Sequence, residues 1–222
     1  MRFSMTKRRR LHPNELVPGP RPPLGADAAC ELLVGANARA AILVEGWSDQ
    51  AALESLSLRR GRDLTSEGIG IVPMGGITNI GKFAEALGPR GLGLRLAGLY
   101  DAADEPYVTR FLHRMGLGSE LTREETEAAG FFVCEADLED ELIRALGTAA
   151  VECVLEVEGE LASFRRFQDQ PAQRGRSTHA QLRRFLGTRA RRKIRYGSLL
   201  VDELQLERVP RALDLVITYH RR

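Results

Sequence analysis

Short apolar runs alternate with amphipathic helical segments across the middle of the chain. The runs that predict strands span 41–44, 68–73, 94–100 and 130–134, and helical spacing occurs at 27–39, 48–58, 78–87 and 107–115. Strands that alternate with helices form right-handed βαβ units, and such units build a parallel sheet with helices on both faces. The pattern therefore predicts an α/β fold with about four parallel strands.

Three segments of the chain differ in composition. Residues 1–25 are basic and contain five prolines, so they predict a flexible arm. Residues 26–147 hold the alternating pattern and are predicted to form the α/β domain. Residues 148–222 predict a basic, helical C-terminal region with an exposed loop at 171–177. Helical spacing begins at Asp137, and its predicted breaks lie near Gly147, 171–175, Gly187 and Pro210.

Charge is distributed unevenly along the chain. The formal net charge is only +2, but residues 1–22 carry +5, residues 41–164 carry −12 and residues 165–222 carry +10. This asymmetry favours an anionic partner that contacts the basic ends, and an acidic centre that divalent cations neutralise. A second interpretation is that arginine is simply the common surface residue of this chain.

Several classes of protein are excluded or disfavoured by what the sequence lacks. It has no run of about 18 apolar residues and no apolar segment after its charged start, so we predict a cytoplasmic protein without a membrane partner. The three cysteines are widely spaced and the four histidines lack metal-ligand spacing, which argues against disulfides and zinc. Ser48 is not in a G-x-S-x-G motif, so it is not predicted to be the nucleophile of a serine hydrolase.

Acidic residues follow three of the predicted strands. Glu45 and Asp49 follow the first strand, Asp101 and Asp104 follow the third, and the acidic run 137–141 follows the fourth. The carboxyl ends of parallel strands meet at one edge of a sheet, where ligands bind. Carboxylates are the ligands that hard divalent cations such as Mg²⁺ take, and such cations suit phosphodiester chemistry.

A glycine pair, Gly75 and Gly76, follows the second predicted strand at the same edge. Glycine lets a backbone approach a ligand closely, so this turn is a candidate contact for a phosphate or a nucleic-acid backbone. Thr78 is the predicted N-cap of the next helix.

These motifs together resemble the Toprim domain carried by OLD-family (overcoming lysogenization defect) nucleases. The resemblance covers about residues 40–147 and rests on V-E-G-x-S-D at 44–49, the Gly-Gly turn with Asn79, the acid pair at Asp101, and D-L-E-D-E-L at 137–142. It implies a Rossmann-like sheet and Mg²⁺- or Mn²⁺-dependent cleavage of nucleic-acid phosphodiester bonds.

The resemblance also implies roles for individual acids. Glu45 would be a metal ligand and a general acid or base, and Asp49 a second ligand. Asp101 would be the first ligand of the acid pair, and Glu139 a ligand or a residue that positions water.

The chain departs from the Toprim pattern at the acid pair. Toprim domains usually carry D-x-D, whereas this chain has Asp101-Ala102-Ala103-Asp104. Three alternatives follow: Asp104 reaches a metal through the turn, Glu105 replaces it, or one metal site is weaker. OLD proteins also carry an ATPase domain before Toprim, and no P-loop motif is present here, so we expect a stand-alone Toprim protein with an ATPase as a separate candidate partner.

Lys193 is a further candidate, because only Lys7, Lys82 and Lys193 are lysines among 32 basic residues. Lys193 follows the predicted Toprim domain, and in this respect the chain resembles OLD-type nucleases, which carry a lysine after Toprim that stabilises charge at the scissile phosphate. By this resemblance, Lys193 is assigned that role. A solvated basic helix face is the alternative. The neighbouring arginines are predicted to contact the phosphate backbone without sequence specificity: Arg191, Arg192 and Arg195.

Our leading hypothesis is a metal-dependent endonuclease that acts on DNA. Two alternatives remain at this point: a non-catalytic Toprim module that binds nucleic acid or a partner, and an RNA-processing nuclease. The displaced acid pair motivates the first alternative. Contacts through phosphates, which distinguish DNA from RNA poorly, motivate the second.

Overall fold

Four parallel strands form the sheet that the sequence predicts. The computed structural model describes residues 24–118 and 120–221, so nearly all of the predicted arm at 1–25 lies outside the described residues. The strands are β1 (Ala40–Val44), β2 (Ile69–Pro73), β3 (Arg95–Asp101) and β4 (Phe131–Cys134), in the order β2-β1-β3-β4. In the register, Val44 is opposite Pro73 and Asp101 is opposite Cys134, so the strands end at a common edge.

Eleven α-helices surround the sheet within the described residues. They are α1 (Ala26–Gly35), α2 (Trp47–Arg59), α3 (Ile80–Leu87), α4 (Glu105–Arg114), α5 (Arg123–Ala128), α6 (Leu138–Leu146), α7 (Thr148–Val157), α8 (Leu161–Gln168), α9 (Thr178–Gly187), α10 (Ala190–Glu203) and α11 (Arg211–Thr218). Short 3₁₀ turns lie at Ile77–Asn79, Ala102–Asp104, Pro171–Gln173, Leu206–Arg208 and Tyr219–Arg221. The sheet with helices on both faces confirms the predicted α/β fold class.

The sheet separates two hydrophobic cores because alternate residues of β1 point to opposite faces. Ala41 and Leu43 pack with α1, α3 and α4, whereas Ile42 and Val44 pack with α2, α6 and the C-terminal helices. The second core extends from the sheet to Phe164, Phe185 and Val216. The C-terminal helices therefore form a layer of the same packed unit.

Helix α10 lies directly against α2. At Gly197 the absence of a side chain permits this approach, because a Cβ atom there would lie only 2.7 Å from the carbonyl oxygen of Ser48. Tyr196 is buried beside it. This packing sets the position of Lys193, one turn earlier in α10, relative to the N-terminus of α2.

Local predictions differ from the structure at several positions. Thr78 is not an N-cap, since it lies within the 3₁₀ turn Ile77–Asn79 and α3 begins only at Ile80. The sequence did not predict α5, whose R-E-E-T-E-A segment has no apolar periodicity; a capping box between Thr122 and Glu125 holds its start. The predicted breaks in the C-terminal helices are present, with one more at Gly159, where φ is +72°.

No helix within the described ranges is both long enough and apolar enough to span a bilayer. All three cysteines are free, with Cys134 buried and Cys153 exposed.

Candidate metal site and nucleic-acid interface

Three acids from two neighbouring strands meet at the carboxyl edge of the sheet. Glu45 directly follows β1, Asp101 is the last residue of β3, and Asp104 ends the 3₁₀ turn Ala102–Asp104. One carboxylate oxygen from each lies within 4.8 Å of the others, and all three side chains are partly buried. The 3₁₀ turn returns Asp104 to the edge, so the extra residue between Asp101 and Asp104 does not remove the second acid from the site. Of the three alternatives for the acid pair, this geometry favours direct participation of Asp104.

The surroundings of the three carboxyl groups raise their pKa values and so disfavour their ionised forms. Burial, with the negative charges of Asp49, Asp137 and Glu45, raises the pKa of Asp101 to about 8. The pKa of Glu45 is raised by burial and by Asp49, and burial alone raises the pKa of Asp104. A divalent cation would relieve this repulsion, and an all-oxygen donor set is what Mg²⁺ or Mn²⁺ takes. The residues present therefore fit such a metal.

Asp49 lies beside this triad but makes a different contact. Its Oδ2 accepts a hydrogen bond from the backbone N–H of Gly46 at 2.8 Å, in a capping arrangement at the start of α2. The side chain is buried, and burial raises its pKa although Lys193 opposes the shift. This cap fixes the start of α2 immediately behind Glu45. The role of Asp49 as a second metal ligand remains a prediction.

Glu139 presents an unsatisfied oxygen within the acidic cluster. It lies in the first turn of α6, only 6% exposed, and its Oε1 is buried with no hydrogen-bond partner in the described part of the chain. Burial raises its pKa to about 7, although Lys193 acts in the opposite direction. A buried carboxylate oxygen without a donor is costly, and a metal ion or an ordered water would satisfy it.

Lys193 is the cation that faces these acids. Its Nζ lies 3.4 Å from Oε2 of Glu139. Burial acts to lower the pKa of Lys193, but the carboxylates around it, led by Glu139 and Asp49, raise the pKa above its usual value. The ammonium therefore stays protonated at neutral pH. One ammonium cannot balance the several carboxylates at this edge, which leaves the site negatively charged.

One of the predicted phosphate contacts is wrong. Arg192 is buried, its Nε donates to Oε2 of Glu160 at 2.6 Å, and its Nη1 donates to Oγ1 of Thr188 at 2.7 Å. Its guanidinium also lies 4.0 Å from the centre of the Phe185 ring. The spacing contained a signal for this outcome, because Arg192 precedes the core residue Tyr196 by four positions and so lies on the inward face of α10.

The other two arginines are exposed. Arg195 forms an ion pair with Glu158, and Arg191 has no ion pair among residues 24–118 and 120–221. Contact of either residue with a phosphate backbone remains a prediction.

The glycine turn lies next to Glu45. Gly75 and Gly76 have φ values of +70° and +120°, which residues with side chains rarely adopt. The N–H of Gly76 donates to the backbone carbonyl of Glu45 at 3.1 Å, and the Nδ2 of Asn79 donates to the carbonyl of Met74 at 3.0 Å. The turn therefore borders the acidic edge, as expected for the second strand of the sheet.

Sequence reasoning missed the residues that hold α6 in place. Asp137 caps this helix with Oδ1, which accepts from the N–H of Asp140 at 2.8 Å, and its Oδ2 accepts from Nε of Arg183 at 2.7 Å. His179 contacts Asp140 through Nε2 at 2.7 Å. These contacts join α6 to α9 and so position Glu139. The N-cap was readable from D-x-x-D, but its partners lie about forty residues away in the sequence.

The segment that carries β1, β2 and β3 matches a known family model. Residues 38–102 match the family model described as Overcoming lysogenization defect protein-like, TOPRIM domain. This match confirms the resemblance seen in the sequence, and the Toprim domain of OLD-family proteins is generally a metal-dependent nuclease fold. No ATPase domain is present in residues 24–118 and 120–221.

Solved structures of OLD proteins have the same fold. The C-terminal region of the Burkholderia pseudomallei OLD protein is 21% identical, with 83% of this chain and 97% of that chain covered and a TM-score of 0.63. The C-terminal region of the Xanthomonas campestris pv. campestris OLD protein is 27% identical, with 83% and 94% covered and a TM-score of 0.60. No curated protein sequence matches this chain.

Proposed function

We propose that this protein is a metal-dependent nuclease that cleaves phosphodiester bonds of DNA at the carboxyl edge of its sheet. The observation that carries the proposal is the convergence of Glu45, Asp101 and Asp104 within 4.8 Å of one another, at an edge that Lys193 also faces. The OLD-like Toprim match at 38–102 supports the same reaction class.

Glu45, Asp101 and Asp104 are the residues that would hold Mg²⁺ or Mn²⁺. When bound, such an ion polarises a phosphoryl oxygen and lowers the pKa of a coordinated water. Burial of the three carboxylates keeps their oxygens at the edge and limits competition from solvent. Asp49 and Glu139 are the candidates for a second ligand and for holding the attacking water, since both lie in the same negatively charged cluster.

Lys193 supplies positive charge where the scissile phosphate would enter. Its ammonium remains protonated because of the surrounding acids, and it contacts Glu139 at 3.4 Å when no phosphate is present. A compact ammonium can turn from Glu139 to a non-bridging phosphate oxygen without moving the helix that carries it. Preorganised charge of this kind stabilises the transition state more than the ground state.

The surfaces next to the edge suit a nucleic-acid backbone. The glycine turn at Gly75 and Gly76 permits close approach, and Arg191 and Arg195 are exposed on the helix that carries Lys193. Within the basic C-terminal region, 148–222, the start of α10 is proposed to be the part that contacts the substrate next to the Toprim domain, 26–147. A separate ATPase chain is the protein partner that we expect.

Cleavage of a nucleic-acid panel tests the proposal. Supercoiled plasmid, linear duplex, single-stranded DNA and RNA are incubated with Mg²⁺, Mn²⁺ or EDTA, using wild type, Glu45→Gln and Lys193→Ala. Glu31→Gln is the matched control, because Glu31 is exposed on α1 and the chemical change is the same. We expect metal-dependent cutting of DNA that falls on the order of 1,000-fold in Glu45→Gln and on the order of 100-fold in Lys193→Ala.

Three results would contradict the proposal. Full activity in Glu45→Gln would show that the acidic edge is not the site. Binding of nucleic acid by wild type without any cleavage would favour a non-catalytic module, and cleavage confined to RNA would replace DNA as the substrate.

A further inference from the structure

A basic pocket lies between α3 and α4. Its volume is about 420 Å³, a size in the range of small-molecule sites. Phe111 and Met115 form its apolar part, and Glu85 is the one acid that lines it. Three cationic side chains also line it: Lys82, Arg90 and Arg114.

The three cations have no carboxylate partner. Within residues 24–118 and 120–221, none of Lys82, Arg90 and Arg114 takes part in an ion pair, and all three are exposed. Other exposed arginines, such as Arg144 and Arg183, are paired with acids. Three cations that share a concave surface with one acid create a local positive potential, which attracts an anion.

Gly81 helps to bring these charges together. A Cβ atom at Gly81 would lie 3.3 Å from Nη2 of Arg114, closer than most side chains approach. Because Gly81 has no side chain, the guanidinium of Arg114 can lie over the first turn of α3, on the same helix as Lys82. The charges thus come from α3, the turn that follows it and α4, and they line one pocket.

The glycine turn lies next to both the pocket and Glu45. Thr78 lines the pocket and belongs to the 3₁₀ turn that follows Gly76. The N–H of Gly76 donates to the backbone carbonyl of Glu45 at 3.1 Å. An extended phosphodiester chain that crosses the glycine turn from the acidic edge would therefore reach the pocket next.

We infer that this pocket binds a phosphate of the nucleic-acid backbone at a position other than the bond that is cut. The inference rests on the proposed function and adds a second anchoring point to it. Flexible lysine and arginine side chains bind phosphate oxygens without reading bases, so this contact would set the path and register of the strand. The apolar part at Phe111 and Met115 suits the sugar attached to that phosphate.

Charge neutralisation on matched surfaces tests the inference. The pocket variant is Arg90→Gln with Arg114→Gln, and the control is Arg208→Gln with Arg221→Gln. Arg208 ends the 3₁₀ turn Leu206–Arg208, and the Leu206 carbonyl accepts a hydrogen bond from Arg60, just after the C-terminal end of α2. Arg221 interacts with Glu67, just before β2. Both control residues therefore lie away from the acidic edge. All four arginines are exposed, and thermal melting verifies that both variants fold.

Binding of a labelled duplex is measured in EDTA, where no metal-dependent cleavage occurs, between 50 and 200 mM salt. We expect the pocket variant to lose roughly tenfold in affinity and about one unit in the slope of log K against log salt. The control is expected to stay within about twofold and to keep the slope of wild type. Equal effects in the two variants would overturn the inference and leave the proposed function intact.

Two further outcomes separate the remaining explanations. Inorganic phosphate and a mononucleotide are titrated into wild type and the pocket variant, because a free nucleotide carries the same chemistry. Loss of mononucleotide binding with unchanged duplex binding would identify a free-nucleotide site and overturn the backbone assignment. Failure of wild type to bind any nucleic acid would refute both the inference and the proposed function.

Discussion

We expect replacement of Gly197 by alanine to move α10 away from α2. The contact between these two helices places Lys193 at the acidic edge. A Cβ atom at Gly197 would lie 2.7 Å from the carbonyl oxygen of Ser48, whereas ordinary contacts begin at 3.4 Å. The difference of these two distances requires α10 and α2 to move apart by about 0.7 Å. The obstacle is backbone at the start of α2, so no side-chain rotation relieves the clash.

The expected cost has two parts. Overpacking of this kind destabilises a protein by roughly 1–3 kcal/mol. For a chain of this size that corresponds to a fall in melting temperature of roughly 2–10 °C. The shift also moves the ammonium of Lys193 relative to Glu139 and Glu45, and a misplacement near 1 Å can slow catalysis by about 100-fold. We therefore expect plasmid cleavage to fall between about tenfold and 100-fold.

The assay compares cleavage rate, melting temperature and Mn²⁺ affinity in the same preparations. Gly187→Ala is the control, because a Cβ atom there meets nothing within 4 Å. Mn²⁺ affinity is expected to change little, since Glu45, Asp101 and Asp104 are not on α10. Wild-type cleavage and stability in Gly197→Ala would refute the reasoning that α10 packing positions Lys193.

Three other perturbations have definite expected outcomes. His220 is buried, and burial with a neighbouring guanidinium lowers its pKa to about 4, so its contribution to stability should be constant above pH 6.5 and fall by roughly 3 kcal/mol between pH 6.5 and pH 4. In urea unfolding, the free energy of wild type minus that of His220→Phe should fall by this amount across the range, and a difference that does not change with pH would contradict the assignment. Arg192→Leu should lower the free energy of unfolding by roughly 2–3 kcal/mol because it leaves Glu160 unpaired, whereas Arg191→Leu should change this free energy by less than about 0.5 kcal/mol in urea unfolding; equal values for the two variants would count against the buried pair. Mg²⁺ at about 100 times its dissociation constant should stabilise wild type by about 2.7 kcal/mol in thermal melts, and Asp101→Asn should abolish most of that gain; an undiminished gain would place the ion elsewhere.

The sheet was predictable because its signals are local. β1 is a short apolar run bounded by polar residues, and the strands that follow repeat this pattern at βαβ spacing. Because the strands are parallel, acids at their carboxyl ends lie at the same edge of the sheet, as Glu45 and Asp101 do. The position of Asp104 was left open because it depends on a 3₁₀ turn, which the spacing does not specify.

Other features depend on contacts between distant segments. The four-residue spacing to Tyr196 indicates an inward face for Arg192, but its pairing with Glu160, 32 residues earlier in the chain, is not visible in a run of basic residues. Lys193 was singled out by composition and family resemblance, but its approach to Glu139 depends on the close contact at Gly197. The pocket between α3 and α4 likewise draws its charges from separate segments of the chain.

The central claim is that a divalent cation held by Glu45, Asp101 and Asp104 carries out the cleavage. A Mn²⁺ titration tests it most directly, with ion binding followed by electron paramagnetic resonance and plasmid cleavage measured on the same samples. We predict that binding and cleavage reach half-saturation at the same Mn²⁺ concentration and that Asp101→Asn weakens both by at least roughly tenfold. Unchanged Mn²⁺ binding in Asp101→Asn, or cleavage that proceeds without the ion, would contradict the claim.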